Sequence, residues 1–124
     1  MTFSNSPLVA FRQISPNRNS PRGQAIKKIT IHHTAGVISV ENLGAHFSRR
    51  GILASSNYGV GPDGRVGMYV EEKDRAWTSS NAVNDYQAVT IEVSNSAVGG
   101  IWLVSDKALA ATTGRRGHIR HTFA

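Results

Sequence analysis

Two short stretches carry side chains that together could hydrolyse an amide. In Lys28-Ile29-Thr30-Ile31-His32-His33-Thr34-Ala35-Gly36 the isoleucines alternate with Thr30 and His32, which is the period of a β-strand, and the run closes in a turn at Ala35-Gly36. An imidazole is thereby carried on a rigid element and delivered at its open end. In Ala88-Val89-Thr90-Ile91-Glu92-Val93 the apolar residues share one face, and Thr90 and Glu92 share the other. If the two strands lie near each other in one sheet, His32 and Glu92 look over the same cleft. That pairing suits metal-assisted hydrolysis, with the histidine fixing the ion and the carboxylate taking the proton of the attacking water. A His-His pair by itself is a weak signal, since two histidines at a strand end more often bond to nearby backbone.

The elements that must position this pair follow from the pattern around them. Leu8 to Phe11 reads as a strand or extended arm, followed by an irregular loop to residue 26 to which no chemistry is assigned. A helix is predicted from a Ser39 N-cap through Leu43, His46 and Phe47 toward Gly51, with Val40, Leu43 and Phe47 as its buried face and His46 as an ordinary, partly exposed histidine. Ser56 to Val60 and Arg65 to Val70 make a hairpin around Pro62-Asp63-Gly64. Gly59, Gly61 and Gly64 match a G-x-G-x-x-G pattern by accident of that turn, because no helix follows to receive a phosphate. Residues 71 to 87 read as a surface connection. A last helix starts at Ser105 or Asp106 and is broken by Thr112-Thr113-Gly114.

Four motifs, in order and at approximate spacing, now carry a family resemblance. Ile29 to Gly36, Ala54-Ser55-Ser56-Asn57-Tyr58-Gly59-Val60-Gly61-Pro62-Asp63-Gly64, Arg75-Ala76-Trp77, and Val89 to Val93 resemble the zinc-dependent N-acetylmuramoyl-L-alanine amidases of type 2. These are the amidases of phage endolysins and bacterial autolysins, related to the peptidoglycan recognition proteins, and the chain looks most like the clostridial endolysin type. The resemblance covers residues 1 to about 111 and leaves 112–124 as a divergent basic tail. It implies an α/β domain with a single central mixed β-sheet flanked by helices, lacking the family's C-terminal portion.

The same resemblance implies zinc as cofactor and bacterial peptidoglycan as partner. His32 and His121 would be metal ligands, with His118 as a substitute for His121 and the third ligand unassigned. Glu92 would activate the water, and the bond cut would join N-acetylmuramic acid to L-alanine. A tyrosine that polarises the carbonyl in many relatives falls on Ser56 here, so catalysis by Tyr58 is not carried over. Asn57 and Trp77 would line the substrate groove; a core tryptophan is an equal reading for Trp77. A non-catalytic peptidoglycan-binding module and an inactive prophage remnant are the alternatives, and lost helix surface predicts dimerisation through exposed sheet.

Bulk properties bound these readings. The 124 residues suit one domain, and the absence of cysteine restricts metal ligands to His and carboxylate. No apolar run reaches the length of a membrane span, so no membrane insertion is expected. The N-terminus lacks the basic start and apolar core of a signal peptide, which predicts a cytoplasmic location until lysis and action at the cell wall. The net charge of +6 reads as attraction to polyanionic wall and not to nucleic acid, because much of the excess sits in the tail without interleaved aromatics.

Overall fold

The alternating runs become the centre of the molecule, a computed structural model that describes residues 2–96 and 103–113. In chain order the elements are β1 (Val9–Arg12), β2 (Arg18–Asn19), β3 (Lys28–His33), α1 (Val40–Phe47), a 3-10 turn (Arg50–Ile52), β4 (Tyr58–Val60), β5 (Val66–Met68), β6 (Arg75–Ala76), α2 (Ala82–Tyr86), β7 (Ala88–Val93) and α3 (Asp106–Thr113). Five strands form one mixed sheet in the order β1-β5-β4-β7-β3, and β2 pairs with β6 antiparallel. This is the expected α/β class, a central mixed sheet with flanking helices.

Register decides what each face carries. Strand β3 runs parallel to β7 with Thr30 opposite Thr90 and His32 opposite Glu92, while β4 is parallel to β7 and antiparallel to β5. Because successive residues point to opposite faces, Tyr58, Val60, Val66, Met68, Val89, Ile91 and Val93 collect on one side and bury Ala108 of α3 among them. The other side carries Thr30, His32, Thr90 and Glu92 and receives α1, whose Leu43 and Phe47 pack on Tyr69. Gly59 makes that approach possible. A Cβ there would stand 2.7 Å from both the Leu43 and the Tyr69 side chains.

Helix α1 starts where its sequence predicts, with the Ser39 side chain accepting from Asn42 N at 3.1 Å. It stops sooner than expected. Gly51 does not end it; Ser48 is the C-cap, and its Oγ donates to Gly44 O at 2.8 Å, so residues 50–52 form a separate 3-10 turn. Helix α3 in turn outlasts its predicted break. It continues through Thr113, and Thr112 Oγ1 donates to Ala108 O at 2.8 Å, satisfying the hydroxyl within the helix.

The largest correction concerns residues 71–87, which are not a surface connection. Glu72, Asp74 and Asp85 are buried. The cause lies in the loop before β3, where the buried guanidinium of Arg22 donates from Nε to Glu72 O (2.6 Å), from Nη1 to Ala88 O (2.7 Å) and Tyr86 O (3.2 Å), and from Nη2 to Asp74 O (2.9 Å). One side chain thus satisfies carbonyls from three segments and places a cation beside two carboxylates, which lets those segments fold inward. Asp85 is held separately, accepting from Thr78 N (3.0 Å), Ser79 N (3.1 Å) and Ser79 Oγ (2.6 Å). At the opposite border, Ile29 and Ile31 of β3 are 41% and 56% exposed, so the apolar side of that strand is half open.

Candidate functional site

Strand pairing brings two of the predicted residues together. His32 and Glu92 occupy opposite positions of β3 and β7, and His32 Nδ1 lies 3.3 Å from Glu92 Oε1. With Nδ1 directed at the carboxylate, Nε2 keeps a lone pair. Burial pushes the Glu92 carboxyl above the usual carboxylate range, and the neighbouring imidazole pulls it part of the way back. A carboxylate so placed is a proton acceptor with raised basicity, the property a general base needs.

Glu92 lines a cavity of about 420 Å³ between the turn at 34–38 and α1, together with Thr34, Ile38, Leu43, His46, Phe47 and Ala54. The turn is fixed from beneath. Ser94 Oγ accepts from Ile38 N at 2.9 Å, and Thr34 Oγ1 accepts from Asn95 N at 3.0 Å; both Ser94 and Asn95 are buried. His33, the second histidine of the pair, is turned away to donate from Nε2 to Leu103 O at 3.0 Å, the ordinary role expected of a strand-end histidine.

The predicted groove residues separate. Asn57 is a correction: it is fully buried and cannot touch substrate. Its Nδ2 donates to Val70 O (3.1 Å) and Glu71 O (3.2 Å), and its Oδ1 accepts from Thr90 N (3.1 Å), so the amide locks β4 to β7 and to the chain leaving β5. Ser56 is equally buried, with its Oγ donating to Tyr58 O at 2.7 Å. Tyr58 points to the other side of the sheet, where its hydroxyl donates to Glu72 Oε2 and accepts from Ser6 N. Trp77 is partly buried. Its Nε1 donates to Asn19 Oδ1 at 2.8 Å, and it lines a second cavity, of about 380 Å³, with Leu53, Arg75 and Ser80.

The metal site is represented by one of its expected ligands. His118 and His121 lie outside the described residues. Among the described residues no three His, Cys, Asp or Glu side chains gather closely enough to hold an ion, so these residues alone do not complete a zinc site. His46, read from the sequence as an ordinary histidine of α1, is exposed and lines the same cavity as Glu92. It lies three positions after Leu43 and one before Phe47, on the flank of the helix that faces the sheet, and that spacing was available in the sequence.

The profile of a family described as N-acetylmuramoyl-L-alanine amidase matches residues 22–121. No curated protein sequence gave a significant match. Among solved structures, a mutant of PlyL superimposes with a TM-score of 0.69 at 15% identity, covering 99% of this chain and 76% of that one. A mutant endolysin from Bacillus subtilis gives 0.65 at 17% identity, over 91% and 75% of the two chains. The Drosophila peptidoglycan recognition protein SA gives 0.56 at 19% identity, over 98% and 69%. At these identities the structural likeness speaks for the fold.

Proposed function

Because the chain belongs to the N-acetylmuramoyl-L-alanine amidase family, we propose that it is a zinc-dependent peptidoglycan hydrolase cutting the amide between N-acetylmuramic acid and L-alanine. The observation that carries this reading is the His32–Glu92 pair, 3.3 Å apart on neighbouring parallel strands at the edge of a cavity. Zinc, when bound, supplies a Lewis acid and a water made acidic enough to attack at neutral pH. His32 would hold it together with His121 or His118.

Glu92 takes the proton of the attacking water. Its partial burial keeps the carboxylate basic, and the open cavity side gives water and substrate access. The same carboxyl then returns the proton to the departing amine nitrogen, which leaves as the amino group of L-alanine. Trp77, in the neighbouring cavity, offers an aromatic wall to more distant parts of the substrate. The place of action in this proposal is the bacterial wall, reached after release of the protein from the cytoplasm.

Glu92→Gln tests the assignment. The variant is expected to sediment with purified walls as the wild type does, while release of peptide from glycan falls by about two orders of magnitude or more. Undiminished hydrolysis would remove Glu92 from its role. Zinc per chain, measured by elemental mass spectrometry after dialysis against metal-free buffer, is expected to be near stoichiometric and to vanish in His32→Ala.

A second reading is peptidoglycan binding without cleavage, which the name of one structural neighbour, a peptidoglycan recognition protein, suggests. It predicts wall binding that survives chelation, no zinc, and no peptide release.

A further inference from the structure

We propose that Asn84 of α2 is a positioning residue for the hydrolytic pair, holding β3 against β7 so that His32 and Glu92 keep their separation. The inference rests on the amidase reading above. Attack by a water placed between a carboxylate and a metal-holding histidine depends on the distance between the two, and a misplacement of about 1 Å can cost about a hundredfold in rate.

Strand β3 is weakly held for an element with that duty. Among the described residues it is an edge strand with β7 as its neighbour, and Ile29 and Ile31 leave its apolar side half open. Strand β7 instead lies between β4 and β3, with Val89, Ile91 and Val93 all buried. Apolar burial therefore fixes the carboxylate strand more firmly than the histidine strand. What secures β3 must come from its polar side.

On that side, one pleat before the hydrolytic pair, Thr30 and Thr90 stand opposite each other. Asn84 Nδ2 donates to Thr30 Oγ1 at 3.0 Å, and Thr78 Oγ1 shares a hydrogen bond of 2.8 Å with Thr90 Oγ1. Asp85 joins the two contacts. Fully buried, it accepts from Thr78 N at 3.0 Å, from Ser79 Oγ at 2.6 Å and from Asn84 Nδ2 at 3.3 Å. Asn81 Oδ1 accepts from Asn84 N at 3.1 Å and so fixes the backbone that carries the amide. Thr30, Asn84, Asp85, Thr78 and Thr90 thus form a bracket across the polar side of both strands. Asn84 is its link to the edge strand, and it lines neither cavity, so it acts through β3 and not on substrate.

The test uses the full chain supplied with zinc and N-acetylmuramoyl-L-alanyl-D-isoglutamine as substrate. Asn84→Ala and Thr30→Val each remove one end of the same bond, and each is expected to lower kcat about tenfold with KM little changed. The double variant is expected to be no worse than either single one, and Thr30→Ser, which keeps the hydroxyl, to recover most of the rate. A second readout needs no turnover. The nitrogen NMR shift of His32 Nδ1, which faces Glu92 Oε1 at 3.3 Å, is expected to move the same way in Asn84→Ala and Thr30→Val, measured on the full chain without added zinc. An unmoved His32 shift in the folded variants overturns the proposal, whatever happens to the thermal midpoint. Native kcat overturns it too, as do a raised KM at native kcat and a double variant in which the two losses multiply. A wild type that releases no peptide sinks the amidase reading, and the His32 shift then decides the rest: a shift moved in both variants supports the bracket, and an unmoved one overturns it.

Discussion

Two carboxyls, the buried Glu72 and the partly buried Glu92, are both pushed upward by loss of water, and only Glu92 faces the cavity. Glu72 sits at about 7 in the folded chain against an ordinary 4.5, with the Tyr58 hydroxyl and Arg22 offsetting part of its burial. Between those values the folded chain holds a proton that the unfolded chain has released. Its contribution to stability is therefore complete below pH 4.5 and is lost as pH rises through 7, on the order of 3 kcal/mol by linkage. Glu72→Gln is expected to flatten this descent, seen as a smaller difference between urea midpoints at pH 4.5 and 7.5; an unaltered difference would assign the pH dependence elsewhere. Asn57 is a second residue whose role is structural. Asn57→Ala strands the Val70 carbonyl and the Thr90 N–H in the interior, while Glu71 O keeps its bond from Asp74 N, and should cost roughly 2–4 kcal/mol in urea unfolding. At this scale the sequence separates the residues unevenly. His32 and Glu92 announce themselves because period-two alternation assigns each a face, whereas nothing around Asn57 says that its amide bridges two strands.

Elements carry the next level of constraint. Strands β3 and β7 were readable in type, and their shared pattern of apolar and polar positions anticipated that His32 and Glu92 would face the same way. Their register was not readable, because it depends on β4 and β3 both pairing with β7. Helix α1 ends short of Gly51 for a local reason. Glycine is a common stop, but Ser48 reaches back to Gly44 O and closes the helix one turn earlier. The close seating of α1 on the sheet gives a sharp prediction. Gly59→Ala forces a methyl against Leu43 and Tyr69 at 2.7 Å, and is expected to cost about 1–3 kcal/mol by overpacking. Since α1 forms one wall of the cavity, the same variant should also raise KM for muropeptide, and a stability loss with native KM would show that the sheet, not the helix, absorbs the clash.

For the whole molecule, the acidic run at 71–74 illustrates why a local reading failed. Charged residues in sequence suggest a solvated loop, and only a guanidinium 50 positions away, donating to Glu72 O, turns that loop inward. Arg22→Met keeps much of the side-chain volume but leaves carbonyls of Glu72, Asp74, Tyr86 and Ala88 without their donor. It is expected to destabilise the fold by on the order of 3–5 kcal/mol, measured by thermal or urea unfolding. A loss below about 1 kcal/mol would mean that water reaches these carbonyls instead.

The pairing of β3 with β7 also has a consequence in time. Between them the chain must lay down α1, the β4–β5 hairpin, β6 and α2. While the chain is being made, His32 leaves the ribosome well before Glu92, and no hydrolytic pair exists until β7 has emerged and docked between β3 and β4. Such non-local closure is slow, on the order of milliseconds to seconds for sheets of this kind. A half-made chain therefore carries the histidine without its carboxylate, and on the function proposed above its hydrolytic capacity arrives only with the completed sheet.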